Sequence, residues 1–339
     1  GTTGKSTPHQ TITDRLRPLT GIGITHLDKA CRQRGTFRVR WRSARRWAPS
    51  FRFPDGCTMK LQKLNRRKSR IKLPKLGWVK FRASRSLNGE TIRSATLSRE
   101  GQHWFISLLV DDGKTTPTEH ALPGTAVGVD RGVAVAVATS AGDLFDQAFI
   151  TADEQRRSLR LQRKLSRASH GSANRTKVRQ ALSKIRARER RRRQDFCVKT
   201  ARRLAHNNAL VALEQLPVRD MTRRAQPVAD PATPGQYLPN GGSAKSGLNR
   251  AILSKGWYCF EAALKSAARY SGTQVVKVPA AFTSQRCSAC GHVDPKSRES
   301  QAVFRCTHCL RPAEHADVNA AKNILAAGLL AVSACGDDP

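Results

Sequence analysis

Four cysteines stand near the C-terminus as two close pairs, Cys287 with Cys290 and Cys306 with Cys309. Each pair has C-x-x-C spacing, and fifteen residues separate the pairs. Each pair can turn back on one face of a tetrahedral ion, so the spacing fits a structural four-thiolate zinc ribbon. Eight residues past Cys309 lies Asp317. Two further acids, Asp130 and Glu214, each close an apolar run, Ala126–Val129 and Ala209–Leu213. An acid at the end of an otherwise buried strand must be paired, solvated or bound to a metal. Three such acids from distant segments are expected to converge at one edge of a sheet. Two magnesium ions about 4 Å apart would suit them, one activating a water and the other stabilising a leaving 3′ oxygen. Each acid also has a plainer reading: a helix N-cap for Asp317, an arginine partner for Glu214, and a salt bridge to Arg131 for Asp130.

The charge balance says what such a centre would act on. Sixty-one Lys and Arg face twenty-five Asp and Glu, a formal net charge of +36 over 339 residues. Self-repulsion of that size is best relieved by a polyanion, which points to nucleic acid. No long apolar run or signal peptide is found, which argues against a membrane partner. The five cysteines outside the ribbon (Cys31, Cys57, Cys197, Cys259, Cys335) form no framework, so a reducing, cytoplasmic setting is expected. Gly1–Ser6 resembles a phosphate loop only briefly; its glycine spacing is too short and no strand precedes it.

These residues need elements to carry them. Residues 1–35 show no clear pattern. From Thr36 to Val110, short β-type runs alternate with Gly and Pro, among them Thr36–Trp41, Trp78–Phe81 and His103–Val110. A small β-barrel or sandwich is expected there. It is strongly basic: Lys60, Lys63, Arg66, Arg67, Lys68, Arg70, Lys72, Lys75 and Lys80 occur without an acid between them. Trp41, Trp47, Phe51, Phe53, Trp78 and Phe81 flank these bases, as barrel core or as stacking groups. After a linker at 113–124, Ala126–Asp130 reads as a strand, Gly132–Ala138 as a second strand, and Ala141–Asp143 as a hairpin turn. Residues 153–206 read as two basic helices broken near His170–Ser172. Leu159, Leu161, Leu165, Leu182 and Ile185 form their apolar stripe, and Arg190, Arg191, Arg192 and Arg193 their charge maximum. With few acids to balance them, these helices are expected to lie along a nucleic-acid backbone. Ala209–Glu214 is a strand, 222–247 a mobile loop, 250–270 a helix, 274–278 a strand, and 316–331 a final helix.

Several of these runs resemble one family. Val127-Gly128-Val129-Asp130-Arg131-Gly132-Val133 resembles the first RuvC motif of the transposon-encoded TnpB proteins, and Val211–Leu216 their second. Thr283–Gly291 is similar to the opening of their zinc ribbon, and His315–Ile324 to their third motif. Ser50–Pro54 and Lys72–Gly77 are also family-like, so the resemblance runs from about residue 36 to 327. It implies an α+β multidomain chain: a basic β-barrel wedge domain at 36–112 and an RNase H-like RuvC nuclease domain at 125–282. A zinc ribbon is inserted at 283–312, a RuvC helix follows at 313–332, and 333–339 is a tail. It further implies Asp130, Glu214 and Asp317 as magnesium-binding catalytic acids, and Cys287, Cys290, Cys306 and Cys309 as zinc ligands. The implied partners are a guide RNA and a double-stranded DNA target beside a short recognition motif, bound by a monomer.

Compact type V CRISPR effectors share this nuclease core and differ in the source of the guide. A guide-free RNase H-like transposase or resolvase would share the acids without needing a basic β unit. A guide-dependent binder that does not cut would be expected to lack one acid, and a passive RNA-binding protein would need none of them. The family usually begins with a barrel strand followed by a longer helical recognition segment. Residues 1–35 are read as a remnant of that segment, and reading of the DNA motif is the function this departure touches.

Overall fold

The computed structural model describes residues 49–84, 87, 89–100, 103–233, 235–309 and 311–336. Thr36–Trp41, Trp41, Trp47 and the segment 1–35 lie outside the described residues. The chain divides into two compact units after Val110.

The first unit is all β. Strands β1 (Ser50–Phe53), β5 (Thr91–Glu100) and β6 (His103–Asp111) form one sheet. Strands β2 (Lys60–Lys63), β3 (Lys68–Leu73) and β4 (Gly77–Arg82) form another. Successive strand residues point to opposite faces. In β3, Ser69, Ile71 and Leu73 are buried while Lys68 and Lys72 face out. Ile71 and Leu73 join Met59, Ala95 and Leu97 in one core, edged by Phe53 and Phe81. Phe51 and Trp78 are exposed, so the flanking aromatics divide between core and surface. Among the described residues the two sheets share a core without closing into a barrel.

The second unit is built on a five-stranded sheet ordered β13-β10-β7-β8-β9. Strands β7 (Ala126–Asp130), β10 (Leu210–Glu214) and β13 (Gln274–Val278) are parallel and nearly continuous apolar runs, as expected of strands covered on both faces. Strands β8 (Val137–Thr139) and β9 (Leu144–Phe145) complete it antiparallel. The second strand is therefore shorter than the expected Gly132–Ala138. The backbone of 132–136 is held by side chains instead of a ladder: Trp257 Nε1 donates to Gly132 O, Lys255 Nζ to Ala134 O, and Ala136 N to Asp146 Oδ1.

The two basic helices are α1 (Ala152–Arg167) and α2 (Ala173–Asn207), broken where expected. Leu182 and Ile185 are buried, but Leu159 is 49% exposed and leaves the expected stripe. The expected mobile loop holds a small hairpin, β11 (Val228–Ala229) with β12 (Tyr237–Leu238), and already enters α3 (Gly242–Lys255). The expected single helix at 250–270 is in fact two. Gly256 adopts φ +74°, a left-handed conformation that ends α3 and starts α4 (Trp257–Ser271). The ribbon carries β14 (Val303–Phe304), paired with β15 (Glu314–His315), and the chain turns into α5 (Ala316–Gly336). Among the described residues no helix is long and apolar enough to cross a membrane.

Alternation assigns the faces of the central sheet. Val127, Val129, Val211 and Leu213 share a core with Phe196, Leu204, Phe260 and Leu264 of α2 and α4. The opposite face carries Gly128 and Ala212, neighbours in register, and receives α5 through Ile324. A Cβ on Gly128 would lie 2.0 Å from Ala321 O and 2.6 Å from Leu325 N, both backbone atoms of α5. Gly128→Ala must therefore push α5 off the sheet. It should destabilise the chain by about 1–3 kcal/mol or more, read as a lower urea midpoint; an unchanged midpoint would contradict this packing.

Candidate active site and metal centre

The same alternation locates the three acids. Asp130 and Glu214 follow Gly128 and Ala212 by two residues, which puts them on the α5 side of the sheet at neighbouring strand ends. Asp317 lies in the first turn of α5. All three line one cavity of about 380 Å³, with Arg131, Gly132, Trp257, Thr283 and Arg298 among its other walls. Acids 187 residues apart in sequence thus share a site because one helix is allowed close to two strand ends.

The site is short of positive charge. Burial, then the neighbouring carboxylates of Glu214 and Asp317, push the Asp130 carboxyl up to about 7 from its ordinary 3.8. Burial also raises Glu214, against a hydrogen bond from the Thr283 hydroxyl and the nearby Arg131 charge. Asp317 is buried and takes Arg298 Nη2 at 3.2 Å. Its backbone N–H donates to His315 Nδ1 at 3.2 Å. Arg131 does not follow its plainer reading as Asp130's partner. It is buried, donates to the backbone carbonyl of Glu214 and, through Nη1, to Glu261 Oε2 at 3.3 Å on α4. The guanidinium thereby ties the end of β10 to the turn after β7. Glu261 also holds Lys277 of β13 and Lys265. Crowded carboxylates with hard oxygen donors are what a divalent cation relieves, so the residues fit magnesium chemically.

Cys287 and Cys309 Sγ lie 3.7 Å apart, and Cys290 and Cys306 Sγ 3.6 Å. All four sulfurs lie within 4.8 Å of one another, the one such set of three or more ligand groups among the described residues. A tetrahedron of about 2.3 Å metal–sulfur bonds has edges of about 3.8 Å, so the set fits zinc. The N–H groups of Cys309 and His308 donate to Cys306 Sγ at 3.4 Å each and pull its thiol down to about 6. The ribbon is fastened to α5 by two asparagines. Asn319 Nδ2 donates to Arg286 O while its Oδ1 accepts from Ser288 N, and Asn323 Nδ2 donates to Thr283 O and Arg286 O. Thr283, Asn319 and Asn323 fall inside the runs Thr283–Gly291 and His315–Ile324 that resemble the family, whereas Arg298 and Glu261 carry no such signal.

The predicted nucleic-acid contacts fall on two surfaces. On the outer face of the β2–β3–β4 sheet, Lys72 stands opposite Lys60 and Trp78, Arg70 opposite Lys80, and Lys68 opposite Arg82. Like charges placed opposite one another destabilise a sheet. Arg70 also lies over the Trp78 ring at 4.5 Å. Lys63, Arg66, Arg67 and Lys75 are exposed in or beside the turns of that sheet. The arginine run of α2 is divided. Arg192 pairs with Glu154 of α1, holding that carboxyl down at about 2, and Arg193 donates to the carbonyls of Leu253 and Ser254. These two reach protein groups, while Arg190 and Arg191 are exposed.

The structure thus sets a parallel-centred α+β sheet with three acids at one edge beside a four-cysteine cluster, compatible with a zinc ribbon, that is fastened to the helix carrying Asp317. A family model described as a probable transposase matches residues 107–225, and one described as a Cas12f1-like TNB domain matches 257–324. The putative RNA-guided DNA endonuclease InsQ of Escherichia coli K12 is 38% identical over 288 residues, 85% of this chain and 68% of that protein. A putative RNA-guided DNA endonuclease of Streptomyces pristinaespiralis is 34% identical, covering 76% of this chain and 58% of its own length. The solved complex of Cas12f1 with sgRNA and target DNA aligns to 69% of this chain and 45% of its own, at 19% identity and a TM-score of 0.46. The chain belongs to the TnpB family of IS605-type transposon proteins.

Three outcomes are expected. Cys306→Ser should bring bound zinc close to zero per chain by elemental analysis, and full metal content would refute the cluster. Between pH 4 and 7 the native Asp130 holds a proton that the unfolded chain has lost, so its contribution to stability falls as pH rises through about 7. In magnesium-free buffer Asp130→Asn should therefore melt above the parent at pH 8, with the gap closing below pH 4. Magnesium should raise the parent's Tm and not the variant's.

Proposed function

We propose that this chain is an RNA-guided DNA endonuclease, a monomer that binds a guide RNA, pairs it with double-stranded DNA beside a short motif, and cuts through one RuvC-type site. The observation that carries the reading is the convergence of Asp130, Glu214 and Asp317 in one cavity, in a chain 38% identical to a protein named for that activity. The domain limits are those drawn from sequence: a wedge at 36–112, a nuclease domain at 125–282 and 313–332, and a ribbon at 283–312.

In this reading Asp130, Glu214 and Asp317 hold two magnesium ions. When bound, these supply an activated water and charge stabilisation at the leaving oxygen. The protein's own residues do the rest. Arg131 and Glu261 fix the spacing of the two strand ends, and Thr283 orients the Glu214 carboxylate. Arg298 neutralises Asp317 and places a guanidinium at the cavity wall, where a phosphodiester would lie. The basic sheet face, with Arg70 and Trp78 at its centre, suits a nucleic-acid backbone, while base pairing with the guide supplies sequence choice. Cys287, Cys290, Cys306 and Cys309 hold structural zinc and do not touch the substrate.

Cleavage of guide-matched DNA should be lost in Asp130→Ala, with guide affinity within about twofold of the parent; persistent cutting would remove Asp130 from the mechanism. Guide affinity should fall steeply with salt, the logarithmic slope growing by about 0.7–0.9 for each phosphate contact. A flat response would exclude the basic face as the RNA surface.

A further inference from the structure

A second cavity, of about 790 Å³, opens between α2, α3 and the segments flanking the β11–β12 hairpin. Four cations line it, Arg193, Arg224, Lys245 and Arg250, against one acid, Glu189, which already lies 3.5 Å from Arg193. Two of the cations are built into the wall: Arg193 holds the carbonyls at the end of α3, and Lys245 Nζ donates to Met221 O at 2.7 Å. Arg224 and Arg250 differ. Both are exposed, and neither makes a hydrogen bond or ion pair among the described residues. Asn249 adds an unmatched acceptor. Its Nδ2 donates to Thr222 O and Arg223 O, which fixes the amide, and its Oδ1 is left buried without a donor.

Position gives this cavity its meaning. Thr222 lines it, while the preceding residue, Met221, lines the cavity of the three acids. Ser254 lines it, and Trp257, three residues on, lines the other. The two cavities therefore share a wall, and Lys245 braces that wall through Met221 O. A strand whose phosphodiester sits at the acids would pass next across Met221–Thr222. There it would meet two free guanidinium groups, whose planar donors match phosphate oxygens. We propose that this cavity is a subsite for the DNA strand being cut, gripping its backbone through Arg224 and Arg250 next to the scissile phosphodiester. The inference rests on the nuclease reading for the identity of that strand.

The test uses the full chain with its guide RNA and a labelled short oligothymidylate as probe. Arg224→Gln/Arg250→Gln removes two exposed charges without disturbing a packed side chain, and Arg269→Gln, exposed on α4, controls for charge loss elsewhere. The double variant should bind the oligonucleotide about tenfold more weakly at low salt, with the logarithmic salt slope reduced by about 1.4 for two lost contacts. On single-stranded substrate KM should rise in step while kcat holds, and guide affinity should stay within about twofold. With 4-thiothymidine in the probe, crosslinks should map to 222–254 in the parent and be lost in the variant. Unchanged affinity and slope would overturn the proposal. So would an equal loss in Arg269→Gln, or a loss of guide affinity as large as that of the oligonucleotide, which would make the cavity an RNA site. If the parent binds the probe through these arginines yet never cuts, the nuclease reading falls and the strand-binding subsite stands. If it cuts and the variant's KM is unmoved, the reverse holds.

Discussion

The close approach of α5 to the central sheet is the constraint on which the rest depends. A helix can lie this near two parallel strands only where their facing residues are small, and Gly128 and Ala212 provide that in register. Gly328 completes the fit from the helix side, since a Cβ there would lie 2.5 Å from the Ala212 methyl. Once the helix is seated, its first turn must fall beside the strand ends, and three acids far apart in sequence become neighbours. The site is thus a by-product of packing: the glycine that admits the helix is two residues from the acid that the helix meets.

Bringing like charges together has a cost that the surroundings only partly offset. Burial, then the carboxylates of Glu214 and Asp317, hold the proton on Asp130 to near neutrality, and Arg298, which is paired with Asp317, offsets this only in part. A site left in this state in the free protein is poised for cations. The outer face of the β2–β3–β4 sheet has the opposite problem, with cations stacked across strands and no acid among them. One centre wants positive charge and the other negative, and a metal-bound polyanion would satisfy both.

Much of this was legible in sequence because the signals were local. The cysteine pairs have a spacing that suits a metal, and the apolar runs ending in Asp130 and Glu214 announce strands that close on an acid. The break near Gly171 was equally plain. Where sequence reading failed, side chains from elsewhere had replaced regular structure or claimed a charge. Gly132–Ala136 reads as strand by composition, but Trp257, Lys255 and Asp146 take its backbone groups. Arg192 and Arg193 look identical to their neighbours in the run, and only the helix phase shows that they face Glu154 and the end of α3. The division at Gly256 was hidden because α3 and α4 continue one apolar pattern across a single left-handed residue. Arg298 and Thr283 acquire a role only when the ribbon folds back on the sheet.

That folding back makes the ribbon more than a distal staple. Its first residues orient Glu214 through Thr283, its middle neutralises Asp317 through Arg298, and its base is clasped by Asn319 and Asn323 of the helix that carries Asp317. Thiolates and carboxylates are therefore joined through the same few hydrogen bonds, so a change in how the ribbon folds is felt by Glu214 through Thr283 and by Asp317 through Arg298. Loosening the four-cysteine module would then slacken the carboxylate edge without touching an acid, because Thr283 and Arg298 reach the acids from the ribbon.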